Sequence, residues 1–183
     1  MAGAGSTIVG STRPSSASTS TAPARRSRAA PARRRSAGYT GRVSAHTRRL
    51  LVEHGGFRYD SDAYDAELPY WLGDAQRAHL VIPYTLLHND VRYVTSPGCA
   101  HADDFFTLLR DGFDRMWVEG AQRPRMMSVG LHSRFSGHPA RAVAIARFLD
   151  HVAAHDRVWV CRRRDIAEHW HRNFGPPAPQ LHE

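Results

Sequence analysis

The sequence predicts an α/β protein, on three observations. From Met126 onward the pattern alternates strand, helix, strand, helix with short connections, the order that gives parallel β/α units. The run RMMSVGL (125–131) is apolar enough for a strand buried on both faces, and His132 follows it at once. The segment 103–120 carries Phe106, Leu109, Phe113, Met116 and Trp117 at three- and four-residue steps, one apolar stripe of a helix. Chemistry in such architectures collects where strands end at their carboxyl edge, which gives an imidazole at position 132 a rationale.

The elements follow in order. Residues 1–36 hold seven arginines, no acid, and Ile8 and Val9 as their only large aliphatic side chains, so they are expected to be disordered and dispensable to the fold. Three readings fit that segment: an organellar transit peptide, an arginine tract for phosphates, or an accident of where translation starts. SAHTRRLLVEHGG (44–56) reads as a short helix with Ser44 as N-cap and Gly55–Gly56 as its stop. FRYDSDAY (57–64) and HLVIPY (79–84) read as strands, the first ending in acids. After the 103–120 helix and the 125–131 strand come a helix over 139–155 with Pro139 in its first turn, a strand over 157–161 and a helix over 163–173. A polar tail (176–183) closes the chain, leaving 37–175 as the folded unit.

Composition excludes several classes. The formal charge is +8, but the first 36 residues carry +7 of it, and the remainder sets 18 arginines against 17 acids. Specific nucleic-acid binding by the folded unit is therefore not expected, although residues 1–36 keep a basic binding protein as a rival reading. No run of eighteen apolar residues occurs, so no membrane helix is expected. Cys99 and Cys161 form no metal or redox motif and suit a reducing, cytoplasmic setting.

The candidate site residues come from loops and strand ends. His132 can shuttle a proton near neutral pH, with Arg134 beside it; taken alone, the imidazole favours the reading of a cap hydrogen-bonded to a loop. Asp60 and Asp62, two apart at a strand end, point to one side of the pleat, either as a functional carboxylate pair or as loop caps. Tyr70, Trp71, Tyr84, Asn89 and Asp90 gather in loops, where aromatics and amides suit a small polar ligand or plain packing. His151 and His155 have the four-residue helical spacing that can hold zinc, but no third ligand is evident in sequence. No metal and no cofactor are expected.

Taken together, GYTGR, YDSDAYDAELPYW, HLVIPYTLLHNDVRY, DDFFTLLRDGFDRMWVEGA, MMSVGLHSRFSGHPARAVAIARFLDHV and DRVWVCRRRDIAEHWH resemble the C-terminal half of the cofactor-independent allantoinases. These belong to the polysaccharide deacetylase (NodB-homology) superfamily. The resemblance implies a partial β/α barrel and hydrolysis of a carbon–nitrogen bond, that of a cyclic amide such as allantoin. It implies His132 as the late catalytic histidine, a general acid, with Arg42 from the arginine motif and Asp60 and Asp62 from the acidic motif. Tyr70, Trp71, Asn89, Asp90 and Arg134 become candidates for substrate contact.

Members of that family carry an early half with an aspartate that activates water and a histidine pair, and these 183 residues show neither motif. The expectation is an acid without its base: a fragment inactive alone, its missing half encoded upstream in another frame. A sugar-amide deacetylase is the rival within the same chemistry. A small cyclic amide is the expected partner, and the sequence admits a homo-oligomer.

Overall fold

The computed structural model describes residues 5–10, as backbone, and 37–73 and 77–176 in full. Its strands are β1 (Gly5–Gly10), β2 (Tyr59–Asp60), β3 (Tyr70–Leu72), β4 (His79–Val81), β5 (Met126–Leu131) and β6 (Trp159–Arg162). Its helices are α1 (Thr47–His54), α2 (Ala102–Glu119), α3 (Ser133–Ser136), α4 (Pro139–Ala153) and α5 (Arg163–Asn173), with a 3-10 turn at Asp90–Tyr93. The α/β class is as expected, and α2, α4, α5 and β5 fall within two residues of their expected bounds.

Strand alternation explains why β5 is apolar throughout. Met127 and Val129 face one core with Phe105, Leu109 and Phe113 of α2 and Ala144, Phe148 and Val152 of α4. Met126 turns the other way, into a core with Tyr59, Leu80, Ile82, Ile166 and Ala167. On α2 the deepest anchors are Phe105 and Leu109, both fully buried, whereas Phe106 of the expected stripe is only partly covered.

Four expectations are corrected. Gly5–Gly10, within the segment read as disordered, forms a strand; the rest of residues 1–36 and the tail from 177 lie outside the described residues. That strand pairs antiparallel with β5 on one side and β6 on the other. So β5 and β6 run parallel as expected, but with β1 between them rather than as neighbours. The stretch Thr7–Ile8–Val9 is β-branched, and two unpaired strand edges offer it hydrogen bonds; low composition scores miss a partner that lies elsewhere in the fold.

The strand expected over 57–64 shrinks to Tyr59–Asp60, because the carboxylates beyond it bind backbone instead of continuing a ladder. Ser44 does not cap α1. His46 holds that position, and the Ser44 hydroxyl faces Thr47 Oγ1 at 3.0 Å.

The second sheet has the order β2-β4-β3, with β2 parallel and β3 antiparallel to β4. On β2 Asp60 is fully buried, 2.9 Å from Arg48 Nε and 3.0 Å from His79 Nε2. Burial, the largest influence, pushes the Asp60 carboxyl up, but hydrogen bonds from His79, Arg48 and the Asp62 N–H together outweigh it and leave it at about 2. The folded value lies below the ordinary 3.8, so its contribution to stability is present above about pH 4 and lost as pH falls through about 2. Asp60→Asn should lower stability by roughly 3 kcal/mol at pH 7, since Arg48 and His79 lose their shared anion. Urea unfolding of both proteins between pH 5 and pH 2 checks this: the gap must narrow on acidification, and a constant gap would refute the assignment.

Candidate active site

Three strand ends converge on one side of the molecule's polar network. The turn after β2 supplies Ser61 and Asp62, the segment after β4 supplies Pro83 and Tyr84, and β5 delivers His132. His132 is bound to Asp90 twice: its backbone N–H donates to Oδ2 at 2.7 Å, and its Nδ1 lies 2.7 Å from Oδ1. The Ser136 N–H adds a third donor to Oδ2 at 3.2 Å. A carboxylate can only accept here, so Nδ1 carries the proton and Nε2 is the ring nitrogen left for chemistry. The imidazole remains 29% exposed while Asp90 is fully buried, the placement a proton donor needs.

Asp90 is itself fixed by its neighbours. Asn89 caps the 3-10 turn, its Oδ1 accepting from the Val91 N–H at 2.9 Å, and its Nδ2 donates to the Tyr84 hydroxyl at 2.9 Å. Residue 130 must be glycine, because a Cβ there would collide with the Tyr84 hydroxyl and the Asn89 amide. The Gly130 N–H donates to the His88 carbonyl at 2.8 Å, which locks β5 to this loop just before His132.

The acidic motif divides into two structural tasks, which corrects the reading of Asp60 and Asp62 as a pair facing one way. Asp60 is the buried anchor of Arg48 and His79. Asp62 accepts from the N–H groups of Thr40 (3.0 Å) and Gly41 (3.1 Å) and from Thr40 Oγ1 (3.0 Å). Gly41 sits at φ +65, where a side chain would strain the turn. Asp62 thus shapes the loop that presents the exposed Arg42.

Other candidates move away from substrate contact. Asp90 and Asn89 are buried, and their side chains are bonded to His132 and to Tyr84 respectively. Tyr70 and Trp71 lie in β3, not in a loop. The Trp71 indole N–H donates to the Phe174 carbonyl at 2.7 Å and its ring meets His171, a packing role against α5. Tyr70 donates to Asp65 at 3.3 Å. Arg134 is exposed and stacks on Phe135 at 4.7 Å, and that ring lies 5.4 Å from the His132 ring.

Two contributors escaped the sequence reading. Tyr39 meets Tyr84 at 4.9 Å between ring centroids and Tyr64 at 3.4 Å between hydroxyls, so the YTGR loop leans on the β4 end. Burial pushes the hydroxyl pKa values of Tyr39 and Tyr84 above the ordinary phenol range. Arg163 is buried beneath this cluster, bonded to Ser61, Ser128 and two carbonyls after β4. Burial draws its pKa down to about 10, so it remains a cation at neutral pH. Its position inside the run RRRD gave no sign that one of three arginines points inward. A cleft of about 380 Å³ opens beside Tyr84, lined also by Tyr64, Glu67, His88 and Met127.

Comparison with known proteins fits this geometry. A "Putative polysaccharide deacetylase" of Schizosaccharomyces pombe is 37% identical over 147 residues, 72% of this chain and 46% of that protein. The crystal structure of a "probable Polysaccharide deacetylase" from Pseudomonas aeruginosa PAO1 matches at 50% identity and TM-score 0.75, over 77% of this chain and 48% of that one. The chain is a relative of the polysaccharide deacetylases. Puue allantoinase also superposes, at 48% identity and TM-score 0.74, covering 77% of this chain and 47% of the enzyme. A "putative polysaccharide deacetylase" from Mycobacterium smegmatis matches at 27% identity and TM-score 0.60, over 78% and 50%. No family model matches the chain. The chain spans about half the length of the relatives it matches. Among the described residues, no helix is long and apolar enough to cross a membrane.

Proposed function

We propose that this chain carries the general-acid half of a hydrolase that opens a cyclic amide, converting allantoin to allantoate. The observation that carries the reading is the His132–Asp90 pair at the end of β5. The 48% identity with Puue allantoinase supports the choice of a cyclic amide. In the proposed step water adds to the ring carbonyl, and the carbon–nitrogen bond of the tetrahedral adduct then breaks. His132, cationic at that moment, gives its Nε2 proton to the departing nitrogen while Asp90 keeps Nδ1 protonated and the ring in place. Arg42, held by the Asp62 turn, offers a guanidinium for the substrate carbonyls. The base that takes the proton from water is an aspartate in a complementary segment matching the other half of the relatives, so residues 37–175 form the C-terminal part of a larger β/α barrel.

A second reading, hydrolysis of an N-acetyl group on a sugar, draws on the 50% identity with the Pseudomonas protein. One experiment separates them. The 183-residue chain alone should leave allantoin unchanged. Joined to the N-terminal half of the Puue enzyme it should release allantoate and leave chitin oligomers intact. Deacetylation of the oligomers instead would favour the second reading, and turnover by the isolated chain would defeat the need for a supplied base.

A further inference from the structure

We propose a divalent transition-metal site on the seam between α2 and α4, formed by Asp114, His151 and His155. One ligand atom from each of these side chains lies within 4.8 Å of those of the other two. The site shares no residue with the His132 group.

The sequence places two of the three ligands, and the fold supplies the third. His151 lies in the last turn of α4 and His155 two residues beyond its end, where the chain turns back and brings their rings together, with centroids at 4.7 Å. Asp114 is 37 residues away in sequence, yet α2 packs along α4 and brings its Oδ1 to 2.6 Å from His151 Nε2. The reason for expecting no metal, the want of a third ligand, is removed by that contact.

The state of His155 favours a ligand role. Its Nδ1 lies 2.8 Å from the carbonyl oxygen of His151 at the end of α4. A carbonyl only accepts, so Nδ1 carries the hydrogen and Nε2 keeps its lone pair. That arrangement, one ring nitrogen donating to a backbone carbonyl and the other bare, is how metal-bound histidines are commonly oriented. The ring is also held by packing, edge-on to Phe113 at 5.0 Å and to Trp117 at 5.1 Å. Phe113 and Phe106 flank His151 as well, so neither imidazole is a free surface group.

The donor set selects the ion. Two imidazoles and one carboxylate suit zinc, cobalt or nickel, whereas calcium and magnesium want oxygen alone. Bonds of about 2.1 Å in a tetrahedral site set ligand atoms about 3.4 Å apart. The Asp114–His151 pair, now at 2.6 Å, must therefore open by about 0.8 Å, and pairs that stand as far as 4.8 Å apart must close by up to about 1.4 Å. Asp114 is 45% exposed and His151 25% exposed, which leaves them room to do so and leaves a fourth position open to water. In the metal-free protein Asp114 Oδ1 and His151 Nε2 share a hydrogen bond, which a cation would replace.

The test uses the full chain and zinc alone. Equilibrium dialysis at pH 7.5 should give one zinc per chain, and zinc should raise the melting temperature, because a cation bound by both helices favours the folded state. Asp114→Asn keeps the side chain's size, and His155→Phe keeps the ring packing against Phe113 and Trp117. Each should weaken zinc at least tenfold and abolish the thermal shift while the metal-free protein melts much as before. Absence of stoichiometric zinc, or zinc binding untouched by both substitutions, overturns the site.

Discussion

Asp90→Asn is expected to lower kcat of the chain joined to its complementary half by about 10³–10⁴-fold, nearly as much as His132→Ala. The two substitutions act on one group. His132→Ala removes the proton donor. Asp90→Asn leaves the imidazole in place but puts an amide where Nδ1–H needs an acceptor, so the ring can turn over or take the other tautomer. In the first case Nε2 no longer faces the leaving nitrogen, and in the second Nδ1 has lost the anion that supports the cationic ring as it donates from Nε2. KM should change little, because Asp90 is fully buried and touches no substrate. A structural role alone would not move the tautomer, so ¹⁵N spectra of the His132 ring separate the two explanations. Wild type should show Nδ1–H and Asp90→Asn should not. An unchanged kcat in Asp90→Asn, or an Nε2–H tautomer in wild type, would refute the positioning role.

What could be read in the sequence divides along physical lines. The 3.6-residue stripe of α2, the apolar run of β5 and the proline opening α4 are local patterns, and the structure repeats them almost residue for residue. His132 was legible because an imidazole after a buried strand is locally odd. Asp90 was legible only as a loop acid, since its partner lies 42 residues away and nothing local says which carboxylate a loop turns inward. The same holds for Asp114, whose meaning depends on α2 lying against α4. Asp60 and Asp62 show the reverse failure. Their spacing implied a shared direction, but a strand that stops after two residues no longer alternates, and each carboxylate went to a different set of donors. The strand at Gly5–Gly10 was missed because composition counts what a segment can bury and not which open edges await it.

Arg163→Met should be the most damaging single change to stability among the described residues of the site, costing about 3–5 kcal/mol. Its guanidinium donates from Nε to Ser61 Oγ at 3.0 Å, from one terminal nitrogen to Ser128 Oγ at 2.9 Å, and from the other to the Ile82 and Pro83 carbonyls. All four partners are neutral oxygens, so the burial of this charge is offset by hydrogen bonds and not by an ion pair. Methionine fills much of the same space and relieves the buried charge, but it takes away the donor shared by the Ile82 and Pro83 carbonyls. Against the 5–15 kcal/mol that holds an ordinary domain together, that loss is a large fraction. Urea unfolding measures it directly, and a variant as stable as wild type would show that the four bonds contribute nothing net. The partners also decide what happens to function. Ser61 precedes Asp62, Pro83 precedes Tyr84, and Ser128 lies two residues before Gly130, so one side chain fixes the Arg42 turn, the tyrosine cluster and the approach to His132. Arg163→Met should therefore lose stability and activity together, where Asp90→Asn loses activity with the fold intact. Arg163→Lys keeps the charge but can satisfy fewer of the four acceptors, so it should fall between wild type and Arg163→Met in both measurements.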